Sequence, residues 1–258
     1  MNHIQFQRSA INPSECISQG WELVKRNYGL FFGISLVAML LVACIPCVNI
    51  FIAGPVTCGV YYCFLKEMRG EPTNFGEMFK GFDVFVPAMV VGIIAMIPEI
   101  IGQGVRLTTN LADLGIRSGS RGDFYQTSEQ QTILAGGVLI FAIVAGIVLF
   151  LASIALRISL YFALPLIMEH NLGVVDAIKL SASAAWSNVG GIILLGILEV
   201  LVALLGVLML CIGIFFVMPI LYAANAFAYR QVFPRQGQNF QTAPPPPNVY
   251  GGTYGVGQ

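Results

Sequence analysis

Residues 27–65 read NYGLFFGISLVAMLLVACIPCVNIFIAGPVTCGVYYCFL, without a single Asp, Glu, Lys, Arg or His. Two more such runs follow, at 130–156 and 200–229. Crossing ~30 Å of hydrocarbon takes a helix of ~20 mostly apolar residues, so runs of this length predict membrane spans rather than core helices of a soluble domain. The composition agrees: 57% of residues are hydrophobic, 10% are charged and the mean hydropathy is +0.79. The fold class is therefore read as all-α, a polytopic transmembrane helix bundle. At 258 residues the chain holds about six spans with short tails and no separate soluble domain. Thirteen basic residues offset thirteen acidic ones, so net charge points to no nucleic-acid partner. The partner that this composition does name is the lipid bilayer.

Apolar length places the six spans at about 28–46, 50–68, 83–103, 132–156, 189–208 and 212–230. The block 131–168 would form about 57 Å of helix, too long for one perpendicular crossing, so a bend is expected near Gly136-Gly137 or at Pro165. Between the last two spans only a tight turn near Cys211-Ile212-Gly213 fits. Lysine and arginine set the orientation. With the N-terminus cytoplasmic, nine lie inside (Arg8, Lys25, Arg26, Lys66, Arg69, Lys80, Lys179, Arg230 and Arg235). Three lie outside (Arg106, Arg117 and Arg121), in a long loop over 104–130. Both termini are thus expected to be cytoplasmic. The first residues, 1–12, lack the apolar core and cleavage site of a signal peptide and read as a short tail. Residues 13–232 form the six-span domain. The tail, 233–258, is rich in Gln, Pro and Gly, with Pro244 to Pro247 in its middle, and is expected to be disordered. Its proline run could dock a protein partner, although a solvated tail needs none.

Three segments repeat one pattern: a short amphipathic helix with an acid in its first turn, then two spans, the second holding a proline. They begin at Asn12-Pro13-Ser14-Glu15, Asn74-Phe75-Gly76-Glu77 and Gly173-Val174-Val175-Asp176. Cap, proline and acid at these spacings favour helix starts, with capping boxes predicted for the first two. Apolar stripes follow at helical spacing: Ile17, Trp21, Val24 and Tyr28; then Phe75, Met78, Phe79 and Phe82; then Val174, Ile178, Ala182 and Ala185. The three span prolines are Pro55, Pro165 and Pro219. This predicts three interfacial helices lying along the cytoplasmic face and an internal two-span repeat. Its competitor is plain: alternating topology alone makes any six-span chain look periodic.

At Gly54-Pro55-Val56, Leu65 through Glu71 and Met78-Phe79-Lys80-Gly81-Phe82 the chain resembles a group of uncharacterised bacterial six-helix membrane proteins. So it does at Leu164-Pro165-Leu166, Asp176 through Ser181, and Pro219 with Tyr229-Arg230. That group is similar to the membrane domain of some glycerophosphodiester phosphodiesterases. The resemblance implies a six-helix bundle in the bacterial inner membrane. It implies no activity, because the catalytic domain of those enzymes has no counterpart here.

Three ionisable groups fall inside spans: Glu99, Arg157 and Glu199. A charge in hydrocarbon costs ~2.5–3.5 kcal/mol even on the lenient insertion scale, so each needs a partner or water. Counted from the inner ends of their spans, Arg157 and Glu199 lie about 16 and 15 Å deep and Glu99 about 24 Å. Arg157 and Glu199 are therefore expected to pair. The pair reads either as an intramembrane polar site for a substrate or as a structural link between spans. Cys44-Ile45-Pro46-Cys47 is a C-x-x-C at an outer span end, which could form a disulfide or redox pair, or simply pack. No metal-ligand spacing, nucleotide loop or catalytic triad is apparent, so no cofactor and no enzymatic activity is expected. An enzyme acting on lipid or on thiols has only Cys44, Cys47 and Glu99 to speak for it, and two further functions compete more strongly. One is a non-enzymatic scaffold, assembly factor or envelope-homeostasis component, and the other is a small permease using Arg157 and Glu199. Gly29-x-x-x-Gly33, Gly190, Gly191, Gly196 and the alanines Ala223, Ala224, Ala226 and Ala228 are read as helix-packing residues.

Overall fold

The computed structural model describes residues 4–44, 46–119, 129–208 and 213–234, with side chains over 4–43, 49–104, 144–208 and 213–234. All its regular elements are helices: α1 (Pro13–Arg26), α2 (Tyr28–Cys44), α3 (Pro46–Glu67), the 3₁₀ helix η1 (Phe75–Val84), α4 (Phe85–Gly119), α5 (Glu129–Leu160), α6 (Ala163–His170), α7 (Val174–Ser187), α8 (Val189–Leu208) and α9 (Gly213–Val232). Four stretches are long and apolar enough to cross a membrane: Phe75–Gly104, Val144–His170, Val189–Leu208 and Gly213–Val232. The bent pair α1–α2 adds a fifth, its axes 106° apart. The outer surface is correspondingly apolar, with Phe150, Leu205 and Leu208 all more than 60% exposed.

The three short helices dock cyclically. Each lies on the proline-bearing span that ends the unit before it: η1 on α3, α7 on α5 and α6, and α1 on α9. Small residues make these contacts. A methyl group added at Gly59 of α3 would fall 1.7 Å from the Met78 carbonyl oxygen of η1, and one at Gly81 would fall 2.0 Å from the Pro55 oxygen. One turn earlier on α3, a methyl at Gly54 would meet the Ala88 oxygen of α4 at 2.0 Å, and Gly92 faces Gly54. In α1, Gly20 sits against Ala223 and Ala224 of α9. In α7, Ala177 packs with Ala163 and Ile167 of α6. Lipid supplies no hydrophobic drive between helices, so close backbone approach has to.

Several expectations are corrected here. Gly29, Gly190 and Gly196 have no atom near enough to need a glycine, and only Gly191 is tight, against Ile11. The buried faces of α1 and α7 are Cys16, Gly20, Leu23 and Val24, and Ala177, Ser181, Ala184 and Ala185. The bulkier Trp21, Val175 and Trp186 point outward. On η1, Met78 is buried while Phe75, Phe79, Phe82 and the adjacent Phe85 form an exposed ladder of ring contacts. No side-chain cap forms at Asn12. Its Oδ1 accepts from Ser14 Oγ at 3.0 Å, and Glu15 turns to Gln19 at 2.7 Å. At η1, Glu77 Oε2 does reach back to the Asn74 N–H, at 3.4 Å.

The long fourth block breaks at Tyr161-Phe162 and stays helical through Gly136 and Gly137. Pro165 explains the place, because its ring crowds the carbonyl four residues earlier, that of Tyr161. Ser181 of α7 repairs the gap: its Oγ accepts from the Phe162 N–H at 3.0 Å and donates to the Ser159 carbonyl at 2.7 Å. The expected outer loop 104–130 is mostly helix, since α4 runs to Gly119. The expected turn after α8 lies at 209–212, outside the described residues. The N-terminal segment, read as a tail, is packed from Ile4 onward. Phe6 meets Phe233, Gln7 N–H donates to the Val232 carbonyl at 2.8 Å, and Asn188 holds Gln7 and Ala10. Phe233 itself is buried, and the tail beyond Pro234 lies outside the described residues.

Gly59→Ala and Gly81→Ala should each destabilise the solubilised protein by roughly 1–3 kcal/mol, since backbone must move to admit the methyl. Gly196→Ala, in open space, should be neutral or gain helix propensity. Thermal unfolding midpoints of the three variants check this, and equal midpoints would refute the packing assigned to α3 and η1.

Candidate functional site

Arg157 does not meet Glu199. Its Nη2 pairs with Glu99 Oε1 instead, on the outside of the bundle, with both side chains more than half exposed. Register explains the correction. Val91 of α4 packs on Leu160 and Ala163, so α4 runs alongside the α5–α6 break. Glu99 lies two turns above Val91 and Arg157 about one turn above Leu160, and two long side chains span the difference. Depth counted separately from the end of each span could not reveal this shared reference point.

Glu199 sits ten residues into the twenty-residue α8, about 15 Å from its start. Its Oε1 accepts from Asn225 Nδ2 of α9 at 2.7 Å. The same nitrogen donates to the Leu221 carbonyl at 2.8 Å. That carbonyl can only accept, which fixes the amide's orientation and leaves Oδ1 to accept from Tyr161 O–H. A carboxyl, an amide and a phenol from three parts of the chain thus form one chain of hydrogen bonds. Asn225 and Tyr161 escaped the sequence reading because neutral polar residues in a span carry no charge signal.

A second polar site occupies the end of the bundle where the basic residues collect. An open cavity of about 760 Å³ lies between α1, the end of α3 and the end of α9. Three carboxylates, Glu15, Glu22 and Glu67, and three guanidinium groups, Arg26, Arg69 and Arg230, line it, with Gln7, Gln19 and Gln231 between them. Ion pairs brace its walls. Arg230 grips Glu169 of α6 through two bonds, at 2.7 and 3.1 Å, and Tyr229 O–H donates to the same carboxylate at 2.7 Å. Lys66 holds Glu77 of η1 at 2.5 Å, and Arg69 holds Glu71 at 2.8 Å. Glu67 Oε1 accepts from Asn27 Nδ2 at 3.2 Å, whereas its buried Oε2 has no hydrogen-bond partner. Gln231 is the hub toward α1. Its Oε1 accepts from the Asn12 N–H and from Cys16 Sγ, at 2.8 and 3.3 Å. Burial, then the Glu15 carboxylate, push the Cys16 thiol up to about 12, so it stays protonated and unreactive.

The side chains of Cys44 and Cys47, the candidate redox or disulfide pair, lie outside the described residues. Among the described residues no group of three or more His, Cys, Asp and Glu could hold a metal ion.

A double-mutant cycle separates the two pairings of Arg157. Arg157→Leu and Glu99→Leu should couple by about 0.5–3 kcal/mol in unfolding free energy, because either change alone strands a charge. Arg157→Leu and Glu199→Leu should simply add. Coupling found in the second cycle and not the first would overturn the observed arrangement.

No family model matches the chain, and neither does any curated protein or any solved structure. What the chain does is to be read from its own residues.

Proposed function

We propose that the chain is a non-enzymatic, six-span protein of the bacterial inner membrane, a scaffold, assembly or envelope-homeostasis component that presents its polar cavity to the cytoplasm. The sixth span is α3. It is 22 residues long, carries Pro55 and packs against α2. With α2 crossing the bilayer, the 106° bend lays α1 along the surface. Trp21 on α1 and Trp186 on α7, the only two tryptophans, are both exposed, as interfacial anchors are. The exposed phenylalanine ladder of η1 fits the same placement. The short motifs that resemble bacterial six-helix membrane proteins support it too, and the nine-to-three bias of basic residues supports a cytoplasmic placement of this face.

The observation that carries the scaffold reading is where the charges went. Arg157 and Glu99 neutralise each other on the outside of the bundle, so they line no path through it. A polar concavity of about 760 Å³ lies at one end, lined by neither Arg157 nor Glu199, with a volume in the range of binding pockets. A mouth of balanced charge and glutamines suits a polar peptide or protein segment, and the proline-rich tail remains a second point of contact for a protein partner. The permease reading survives on one observation, moved from Arg157 to Glu199, Asn225 and Tyr161: these polar groups meet at mid-span.

Reporter fusions near Glu71 and Gly237 should score as cytoplasmic and a fusion near Gly119 as external. A cytoplasmic score at Gly119 would reject the topology. In proteoliposomes, the scaffold reading expects no solute flux above that of empty vesicles. Flux that Glu199→Gln abolishes would replace it with the permease.

A further inference from the structure

The pairing of Arg157 with Glu99 has a consequence for Glu199. Its carboxyl lies at the middle of α8, and none of the ion pairs among the described residues includes it. Its one hydrogen-bond partner among the described residues, Asn225, is neutral. The titratable groups that act on it from the surrounding helices are Cys16 of α1, Tyr61 of α3 and Tyr161 after α5, all neutral when protonated. On its cytoplasmic side Leu195, Cys16, Ala224 and Ala228 form a buried apolar cluster between it and the polar end. An anion so placed in hydrocarbon, with no positive charge beside it, is costly, and none of the described residues pairs such a charge with it.

We propose that Glu199, Asn225 and Tyr161 form a monovalent cation site in the membrane, occupied by a proton or by Na⁺. The hydrogen-bond polarity prepares it. Asn225 Nδ2 can only donate, so Glu199 Oε1 is held as an acceptor and Oε2 is left to take the cation. Tyr161 O–H donates into Asn225 Oδ1 and, through the amide, strengthens that donor. Bound to H⁺ the site is a neutral acid, and bound to Na⁺ it is a neutral ion pair. Either way the middle of α8 carries no net charge. The site stands whether the protein is a scaffold or a permease, because it concerns the state of one carboxyl and not the movement of a solute.

The test is infrared spectroscopy of the full chain in lipid nanodiscs, as the difference between wild type and Glu199→Gln, which keeps the shape and the acceptor oxygen. In Na⁺-free buffer at neutral pH, occupancy by H⁺ gives a protonated-carboxyl C=O band that the variant lacks. That band persists when NaCl replaces KCl. Occupancy by Na⁺ instead gives carboxylate bands that shift on adding NaCl, with a thermal midpoint that rises in wild type and not in the variant. Asn225→Leu should shift whichever band is seen. Carboxylate bands at neutral pH that Na⁺ does not move would overturn the site. So would a wild-type spectrum that matches Glu199→Gln throughout.

Discussion

Backbone-to-backbone contact at α3 is the constraint on which the other elements hang. Gly59 admits the Met78 carbonyl, Gly81 admits the Pro55 carbonyl and Gly54 admits that of Ala88, so η1 and α4 are both seated on a single helix. The ten-residue 3₁₀ course of η1, unusually long for that helix type, belongs to this seat. A side chain at any of these glycines would hold the segments apart, and in lipid no hydrophobic force would draw them together again. The same economy recurs where Gly20 meets α9 and Ala177 meets α6. The cycle is then closed by the N-terminal segment, which runs across the ends of α9 and α7 through Phe6, Gln7 and Ala10.

The second constraint is that charges and broken backbone in the apolar layer are costly unless another polar group answers them. The chain break forced by Pro165 frees a backbone N–H and a carbonyl, and Ser181 takes both with one hydroxyl. This repair also ties α7 to the span it docks on, so a local backbone fault becomes a tertiary contact. Arg157 and Glu99 answer each other at the surface of the bundle. Glu199 is answered in part, by an amide whose own valences are filled by Leu221 and Tyr161. At the polar end, where water is at hand, carboxylates and guanidinium groups instead stand around an open cavity, and only some of them pair.

These two ends differ in what they can do. The cavity presents opposite charges and amides to the aqueous side, a surface suited to recognition. The mid-span group is small, closed on its inner side by Cys16, Leu195, Ala224 and Ala228, and suited to a single cation. Gln231 touches both, since it lines the cavity and binds Cys16, so a change at one has a short physical route to the other.

Much of the architecture was legible in the chain. Uninterrupted apolar length marked the helices that can cross a membrane. Cap and acid at a fixed spacing marked the three short helices, and Pro165 was one of the two places named for the break. These signals are local: hydrocarbon thickness, helix rise and proline sterics act on consecutive residues. The apolar stripes of the short helices mixed bulky and small residues, and the bulky Trp21, Phe75, Phe79 and Phe82 stay exposed. In lipid the seam belongs to the small ones, and the pairs Gly54–Cys58 and Ala88–Gly92 at helical spacing were the available sign. The pairing of Glu99 with Arg157, the gathering of Tyr161, Asn225 and Glu199, and the cavity between α1, α3 and α9 could not be read from the chain. Each depends on the relative height of helices far apart in sequence. That height is set by which small residue meets which carbonyl, a quantity that exists only once the helices are packed.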